Sequence, residues 1–298
     1  LEKKTGTNYA PKGTAEIIYF LDDLNLPEVD AYNTQSAISL VRQQIDYGGW
    51  YDMAKIQKRH IMKCQYMSCM NPTAGSFEIN PRLQRHFTAF AIGFPGPTSL
   101  LTIYQTFLDG HLKYFSEEMQ GLSSNLINAA LGLHTAVSRT FRKTAANFHY
   151  EFNVRHLANV FQGLLVSKPD EFKSIEKFVL LWLHESERVY GDRLVSYDDL
   201  KKYKKEAQAA SKKRFGQFNL TKFFAEKAEP LIFCHDEEGV YDQIVSVDKL
   251  RLTMESSLKE YNEVNAAMNL VLFDDAVKHV ARIMRIILNP SGHALLVG

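Results

Sequence analysis

The sequence has little of several features that would place a protein in a class at once. Its three cysteines, Cys64, Cys69 and Cys234, are too few for a disulfide framework and lack the paired spacing of a zinc site, so we expect core thiols in a reducing compartment. No run of about 18 apolar residues could span a bilayer, and the first residues hold no signal-peptide core. The 35 basic residues balance 34 acidic ones, so no charge excess predicts a nucleic-acid or membrane partner.

A Gly-Lys dipeptide is also absent from the sequence. A phosphate-binding loop of the form G-x-x-x-x-G-K-[ST] is therefore not contained in it, which disfavours a self-sufficient P-loop ATPase or GTPase. What the sequence does have is 298 residues with 45% hydrophobic and 23% charged content. These values predict a globular chain that is long enough for two units.

Strand and helix signals alternate in the first third of the chain. Short apolar runs of the kind that is buried on both faces of a parallel sheet occur at "EIIYFL" (16–21), "CQYMSCM" (64–70) and "FTAFAIGF" (87–94). Between the first two runs, "TQSAISLVRQQID" places Ala37, Leu40, Val41 and Ile45 at helical spacing. Strand, helix and strand in this order predict an α/β layer.

Helical periodicity dominates after residue 97. It extends over "TSLLTIYQTFLDGHLKYF", "LSSNLINAALGLHTAVSRTF", "NVRHLANVFQGLLV" and "FKSIEKFVLLWLHESERVY". The charged run "DDLKKYKKEAQAASKKRF" is typical of a solvated helix face. One long amphipathic helix is predicted from Arg251 to Leu288, followed by a turn at "NPSG" and a strand at "HALLV". In "LHESER", His184 and Glu187 share a helix face without a second pair of ligands, so we expect a structural histidine there.

The first apolar run ends in two adjacent carboxylates, Asp22 and Asp23. An apolar strand followed by Asp-Asp has the form of a Walker B element, in which one carboxylate organises Mg²⁺ and the other positions the attacking water. The alternative is an aspartate that caps the following turn.

The second run is followed by Asn71, which a parallel neighbouring strand would deliver to the same edge, where an amide can hold a water. The alternative for Asn71-Pro72 is a simple turn.

Two arginines precede the third apolar run. Arg82 and Arg85 in "NPRLQRHF" are three residues apart and therefore share one face of a helical turn. Two guanidinium groups on an exposed face suit a phosphate supplied from outside the chain. The alternative is a surface patch of ion pairs.

The order of these motifs resembles the Walker B, sensor I, arginine-finger and sensor II order of an AAA+ module. The strings "YFLDDLNLPEVDAYNTQ", "CMNPTAGSFEINPRLQRHF" and "LWLHESERVYGDR" closely resemble dynein heavy chains of the axonemal type, with an outer-arm β-type chain as the expected subtype. The resemblance implies an α/β plus α fold. It predicts the C-terminal part of the α/β/α large domain of the third AAA+ module at 1–95, the α-helical small domain and connector at 96–250, and the first helix and strand of the fourth module at 251–298.

The resemblance also implies roles for single residues. Asp22 takes the Mg²⁺-organising position, Asp23 the position that is glutamate in many AAA+ ATPases, Asn71 the sensor I position, and Arg155 of "FNVRHL" the sensor II position. The expected catalytic pair is Asp23 and Asn71. Because aspartate is one methylene shorter than glutamate, it should hold the water less well, and slow hydrolysis is expected.

Further implications concern the neighbouring modules. Arg82 and Arg85 take the arginine-finger positions, which act on nucleotide in the preceding module of a ring. Gly298 takes the first position of the next module's phosphate loop, while the phosphate loop of this module is expected upstream of Leu1.

The resemblance predicts the ligands, partners and location of the protein. The cofactors are ATP or ADP with Mg²⁺, and the function is nucleotide binding and regulation in an ATP-driven microtubule motor. The partners are neighbouring AAA+ modules of the same chain, other dynein heavy, intermediate and light chains, and microtubules reached only through a remote stalk. The location is the cytoplasm and cytoskeleton, in the axoneme of a cilium or flagellum. The alternative is a nucleotide-independent spacer in a ring assembly.

Overall fold

The computed structural model describes residues 1–72, 78–224, 230–236, 239–290 and 292–296. The chain divides into two compact units, Leu1–Gly93 and Phe94–Gly298. None of the described helices is both long enough and apolar enough to cross a membrane.

The first unit contains the parallel strand pair that the sequence predicts. Strand β3 (Ile17–Leu21) pairs with β6 (Cys64–Ser68) in register, and helix α1 (Ser36–Tyr47) lies between them in sequence. The Tyr19 and Tyr66 rings stack across the pair with their centroids 5.3 Å apart, and burial raises the pKa of Tyr66 to about 12. The opposite face exposes Ile18 and Phe20. The prediction that this pair is buried on both faces is therefore wrong for the described residues, because the unit supplies too few elements to cover two faces.

The helical prediction for α1 is correct, but its buried face differs from the predicted one. Ala37 and Leu40 are exposed and Val41 and Ile45 are half-buried, whereas Ile38 is buried. Gln44 of α1 is buried as well, and its side-chain amide donates to the Ile61 carbonyl.

A second sheet in this unit has no counterpart among the sequence predictions. It has four described strands in the order β1 (Glu2–Thr5), β2 (Asn8–Ala10), β5 (Gln57–Ile61) and β4 (Gly49–Asp52), of which β2 and β5 are parallel and the other pairs antiparallel. The turn into β4 depends on two glycines. Gly48 ends α1 at φ +68°, and a Cβ on Gly49 would clash with the Arg59 carbonyl oxygen.

The third predicted strand does not form. After the short helix α2 (Pro81–Gln84), the described residues 88–96 have no strand partner, and Phe90, Ile92 and Phe94 are all strongly exposed. An apolar run alone does not make a strand, because a strand requires a neighbour for its backbone hydrogen bonds.

The expectation of core thiols also fails in part: Cys234 is buried, but Cys64 is half-buried and Cys69 is exposed.

The second unit begins with a helical array, as the sequence predicts. Its helices are α3 (Pro97–Leu112), α4 (Glu117–Gln120), α5 (Ser123–Thr140), α6 (Val154–Leu164), α7 (Ile175–Val189) and α8 (Tyr197–Phe215), with 3₁₀ turns at Gly191–Arg193 and Thr221–Phe223. Large apolar side chains, among them Trp182 and Phe178, form one core among these helices. The charged run in α8 is solvated on most of its surface and buries the stripe Tyr203, Ala207 and Phe215.

The rest of this unit departs from the prediction. A small antiparallel hairpin, β7 (Phe233–His235) with β8 (Tyr241–Gln243), precedes two helices, α9 (Val247–Val264) and α10 (Asp274–Leu288), in place of the single long helix that the sequence predicts. The break follows from the side chain of Asn262, which bonds both the amide and the carbonyl of Met268 and so stabilises a turn. No strand forms in the described residues 292–296, and the predicted phosphate-loop residue Gly298 lies outside the described part of the chain.

Candidate functional site

The carboxyl ends of β3 and β6 lie at one edge of the parallel pair. Leu21 is paired with Ser68, so the next residues, Asp22 and Cys69, are brought together. The Cys69 thiol donates to Asp22 Oδ1 across 3.0 Å, and this hydrogen bond raises the pKa of Cys69. Both residues are exposed. The edge therefore presents an accessible carboxylate, as the sequence predicts.

The backbone at Asp23 is unusual. Its φ of +50° lies in the left-handed region, which aspartate and asparagine adopt more readily than other residues with a side chain. Its amide donates to Asp22 Oδ1 across 3.0 Å, and its carbonyl accepts from the Leu26 amide at 2.9 Å. The two carboxylates thus occupy a tight turn. The bond from the Asp23 amide to Asp22 is also what the turn-capping alternative predicts, so this contact agrees with both roles for Asp22.

Hydrogen bonds tie this turn to the residues that follow β6. The Leu24 amide donates to the Cys69 carbonyl at 3.2 Å, and the Asn25 side-chain Nδ2 donates to the Asn71 carbonyl at 3.0 Å. Asn71 is therefore held beside the turn that carries the aspartates, at the edge where the sequence places it. Sequence reasoning misses the contribution of Asn25, since an asparagine two residues before a proline reads only as part of a turn.

Arg82 and Arg85 lie on and next to helix α2, and both side chains are exposed. Arg85 Nη2 lies 3.3 Å from Asp46 Oδ1 at the end of α1, and His86 Nε2 lies 2.8 Å from the same oxygen. The guanidinium of Arg82 forms no ion pair with any residue in the described ranges. The two arginines thus differ: Arg85 has a partner within its own unit, as in the ion-pair alternative, and Arg82 points its charge outward.

Arg155 lies in the second unit, at the start of α6, and is exposed. A capping box fixes this helix end: the Asn153 side chain accepts from the Arg155 amide at 3.0 Å, and His156 Nδ1 accepts from the Asn153 amide at 3.0 Å. Arg193 lies against the other ring nitrogen of His156. Burial first, and then the Arg193 charge, lower the pKa of His156 to about 4. The backbone of Arg155 is thus firmly placed while its side chain extends into solvent.

The second unit also contains a buried ion pair that the sequence analysis does not predict. Glu185 of α7 is fully buried and accepts from Arg285 Nε of α10 at 3.1 and 3.0 Å, with a further contact from Nη2. The Tyr241 hydroxyl donates to Glu185 Oε1 across 2.7 Å. Burial by itself lowers the pKa of Arg285, but the Glu185 carboxylate outweighs it and the net pKa is raised. This pair joins α10 to α7 across 100 residues of sequence.

The sequence does offer a signal for this pair. The buried residues of α10 are Val277, Ala281 and Arg285, so the arginine continues the apolar stripe at intervals of four. A charged residue on a buried stripe predicts a buried counter-ion.

His184 is the structural histidine that the sequence predicts, although only one ring nitrogen has a partner. Its Nδ1 lies 3.0 Å from the Leu231 carbonyl, while Nε2 is buried without a hydrogen-bond partner among the described residues. Burial drives the pKa of His184 well below its usual value, so the ring is neutral. No cluster of three or more potential metal ligands of the His, Cys, Asp and Glu types occurs in the described part of the chain.

Family comparisons match most of the sequence. Residues 1–95 match the family described as "P-loop containing dynein motor region", and residues 268–298 match "P-loop containing dynein motor region D4". Residues 126–225 match the family described as "AAA+ lid domain". The parallel edge with Asp22, Asp23 and Asn71 lies in the first of these regions, and Arg155 lies in the lid.

Curated relatives match over the whole chain. It is 57% identical to the dynein alpha chain of the flagellar outer arm from Chlamydomonas reinhardtii, 49% to the ciliary dynein beta chain from Tripneustes gratilla, and 48% to dynein axonemal heavy chain 17 from Homo sapiens. In each case the alignment covers 100% of this chain and 7% of the relative. Alpha and beta chains both occur among the relatives, so the expected β subtype is not singled out. The chain therefore belongs to the axonemal dynein heavy chain family.

Proposed function

We propose that this chain supplies part of a nucleotide site to an ATP-driven motor that moves on microtubules in the axoneme of a cilium or flagellum. The supporting relatives are named as flagellar, ciliary or axonemal dynein chains. The observation that carries the proposal is the strand edge where Asp22 and Asp23 meet the residue 69–71 segment, inside the region that matches a P-loop dynein motor family. A nucleotide-independent spacer would account for the two aspartates as turn residues, but not for their position inside a region that matches a P-loop motor family.

The side chains at this edge fit Mg²⁺. Carboxylate oxygens are the hard ligands that Mg²⁺ prefers, and this ion commonly keeps several waters, which an exposed carboxylate permits. Asp22 would hold the ion through water, and bound Mg²⁺ would neutralise charge on the phosphates of ATP or ADP. Asp22 Oδ1 accepts from the Cys69 thiol and from the Asp23 amide, so the carboxylate is held in place at the edge.

Asp23 and Asn71 act on the water that attacks the terminal phosphate. The carboxylate accepts a hydrogen bond from this water, and the amide fixes its direction toward phosphorus. Aspartate reaches less far than glutamate, so hydrolysis in this module is slow and its main role is regulatory. The phosphate loop that completes the site is not encoded in these 298 residues.

The three arginines serve phosphates of two different modules. Arg155, at the capped start of α6, contacts the γ-phosphate of this module. Arg82 is the principal finger toward nucleotide in the preceding module, and Arg85 exchanges its contact with Asp46 for that phosphate. The partners are therefore the neighbouring modules, with other heavy, intermediate and light chains in the assembly and microtubules at the end of a remote stalk.

The carboxylate roles are tested in the full-length heavy chain. Asp23→Asn should abolish hydrolysis in this module and leave nucleotide bound, whereas Asp22→Asn should weaken retention of the Mg-nucleotide. Structures of both variant rings with Mg-ATP would identify the nucleotide at the edge. If Asp23→Asn empties the site and Asp22→Asn does not, the two roles are exchanged; nucleotide absent from the wild-type edge would refute the site.

The arginine roles are tested by Arg82→Ala combined with Arg85→Ala, again in the full-length chain. As a surface ion-pair patch, their loss would change stability by well under about 1 kcal/mol and leave every nucleotide in place. As fingers, they stabilise phosphate charge by a contact worth roughly 10³ to 10⁵ in rate where hydrolysis occurs. We expect weakened retention in the preceding module, normal occupancy beside Asp22, and no effect of the exposed-lysine control Lys55→Ala. If nucleotide is lost only beside Asp22, the two arginines act on the nucleotide of their own module, and the finger assignment is wrong.

A further inference from the structure

The Asp22–Leu26 turn is fastened to the residue 69–71 segment at successive points. The Leu24 amide reaches the Cys69 carbonyl at 3.2 Å, and the Cys69 amide reaches the Leu21 carbonyl at 3.1 Å. These bonds hold the segment at residue 69. Asn71 lies two residues further along, and two residues can span up to about 7 Å, so these contacts alone leave room for the Asn71 backbone to move.

Asn25 makes a contact at Asn71 itself. Asn25 is 5% exposed, although its neighbours in the turn, Asp23 and Leu26, are exposed. The buried Nδ2 donates to the Asn71 carbonyl across 3.0 Å. Breaking this bond leaves the buried amide of Asn25 without its acceptor, which is costly for a buried polar group.

We propose that Asn25 is a positioning residue for the hydrolysis step of this module. It fixes the carbonyl of Asn71, and hence the backbone from which the Asn71 side chain extends toward the attacking water. Asn25 itself touches neither water nor nucleotide. This inference rests on the proposed function of Asp22, Asp23 and Asn71, and it adds a residue that binds the two loops of that site into one unit.

The geometry predicts how each variant should behave. Asn25→Ala removes the donor, and Asn25→Asp keeps the volume but turns an oxygen toward the Asn71 carbonyl, which repels it. A displacement of about 1 Å at a catalytic group can cost roughly 10²-fold in rate, so we expect hydrolysis to slow by about 10- to 100-fold. Nucleotide affinity should change by less than about threefold, because the phosphate contacts are made by other groups.

The experiment uses the full-length heavy chain with hydrolysis disabled in its other modules. Single-turnover hydrolysis of Mg-ATP and the bound nucleotide content are measured for wild type, Asn25→Ala, Asn25→Asp and the exposed control Leu26→Ala. Asn71→Ala and the double variant Asn25→Ala with Asn71→Ala complete a cycle. If Asn25 acts through Asn71, the double variant hydrolyses no more slowly than Asn71→Ala, and Leu26→Ala resembles wild type. Independent, multiplying losses in the double variant would overturn the positioning role.

A second readout does not require nucleotide. Hydrogen exchange of a peptide covering residues 64–72 reports the Cys69 amide and its neighbours, and it should quicken in Asn25→Ala and Asn25→Asp but not in Leu26→Ala. Unchanged exchange would refute the positioning of Asn71. Exchange could quicken in the variants while the wild-type edge holds no nucleotide. That result would refute the proposed function and still support the contact from Asn25 to Asn71, so failure of the function and failure of the positioning role are distinguishable. If Asn25→Ala does not fold, both measurements are made on Asn25→Asp.

Discussion

Replacing Arg285 with methionine would leave the Glu185 carboxylate buried without its counter-ion. Glu185 has no exposed surface, and the variant would remove the Arg285 contacts to both of its oxygens. The Tyr241 hydroxyl, at 2.7 Å from Oε1, would still donate to the carboxylate but carries no charge to balance it. Breaking a buried ion pair from one side typically costs about 3–5 kcal/mol. A protein stability of roughly 5–15 kcal/mol makes this a large fraction of the total.

The assay exploits the position of Trp182, which lies on α7 one turn from Glu185 and is fully buried. In a Trp50→Phe background it is the single tryptophan, and urea unfolding followed by its fluorescence reports the second unit. Arg285→Met should lower the free energy of unfolding by about 3–5 kcal/mol. Lys278→Met, which breaks an exposed pair with Asp275 on the same helix, should cost less than about 1 kcal/mol.

The double replacement Glu185→Leu with Arg285→Met removes both charges and should recover most of the loss, since apolar replacements of buried pairs are often neutral. A change below about 1 kcal/mol for Arg285→Met alone would refute the reasoning. It would mean that α10 is held to α7 by its apolar stripe and that Glu185 is satisfied in another way.

Further predictions concern packing, acid sensitivity and nucleotide binding. Gly163→Ala should destabilise the second unit, because its Cβ would clash with the Glu185 carboxylate, while Gly132→Ala, whose Cβ would meet no neighbouring atom, should be neutral or stabilising; urea unfolding compares them. The pKa of His156 is about 4 when folded and 6.5 in the ordinary state, so its contribution to stability is complete above pH 6.5 and declines as the pH falls toward 4; unfolding at several pH values should show this slope reduced in His156→Gln. The 298-residue chain should bind Mg-ATP weakly or not at all in calorimetry, and micromolar affinity would show that phosphate contacts were misassigned.

Sequence patterns predict this fold where the signal is local. Strands β3 and β6 follow from two continuous apolar runs, and helices α3, α5, α6 and α7 follow from apolar residues at helical spacing. The 88–94 run fails because its alternating Phe90, Ile92 and Phe94 could form a strand only beside a partner that the described chain does not supply. The β4–β5 hairpin escapes prediction because its tip, residues 53–56, contains no Gly, Pro, Asn or Asp to mark a turn and instead places Ile56 at φ +50°.

The candidate site also contains residues that the sequence locates and residues that it does not. The positions of Asp22, Asp23 and Asn71 follow from where two parallel strands end, so residue order alone places them. Asn25 and Cys69 could not be assigned from sequence, because the side chain of each makes its contact with a residue 46 or 47 positions away along the chain. The roles of the arginines stay predictions, since they concern phosphates held with the help of other modules.

The left-handed backbone at position 23 restricts which carboxylate can occupy it. Aspartate tolerates φ +50°, whereas glutamate lacks the short side chain that makes this conformation accessible and would incur about 1–2 kcal/mol of strain. A single substitution to the longer carboxylate would therefore lose fold stability at the same step at which it gains reach toward water. Under the role proposed for Asp23, the same turn that presents the carboxylate therefore opposes its lengthening, and Asp23→Glu gains reach only at a cost in stability.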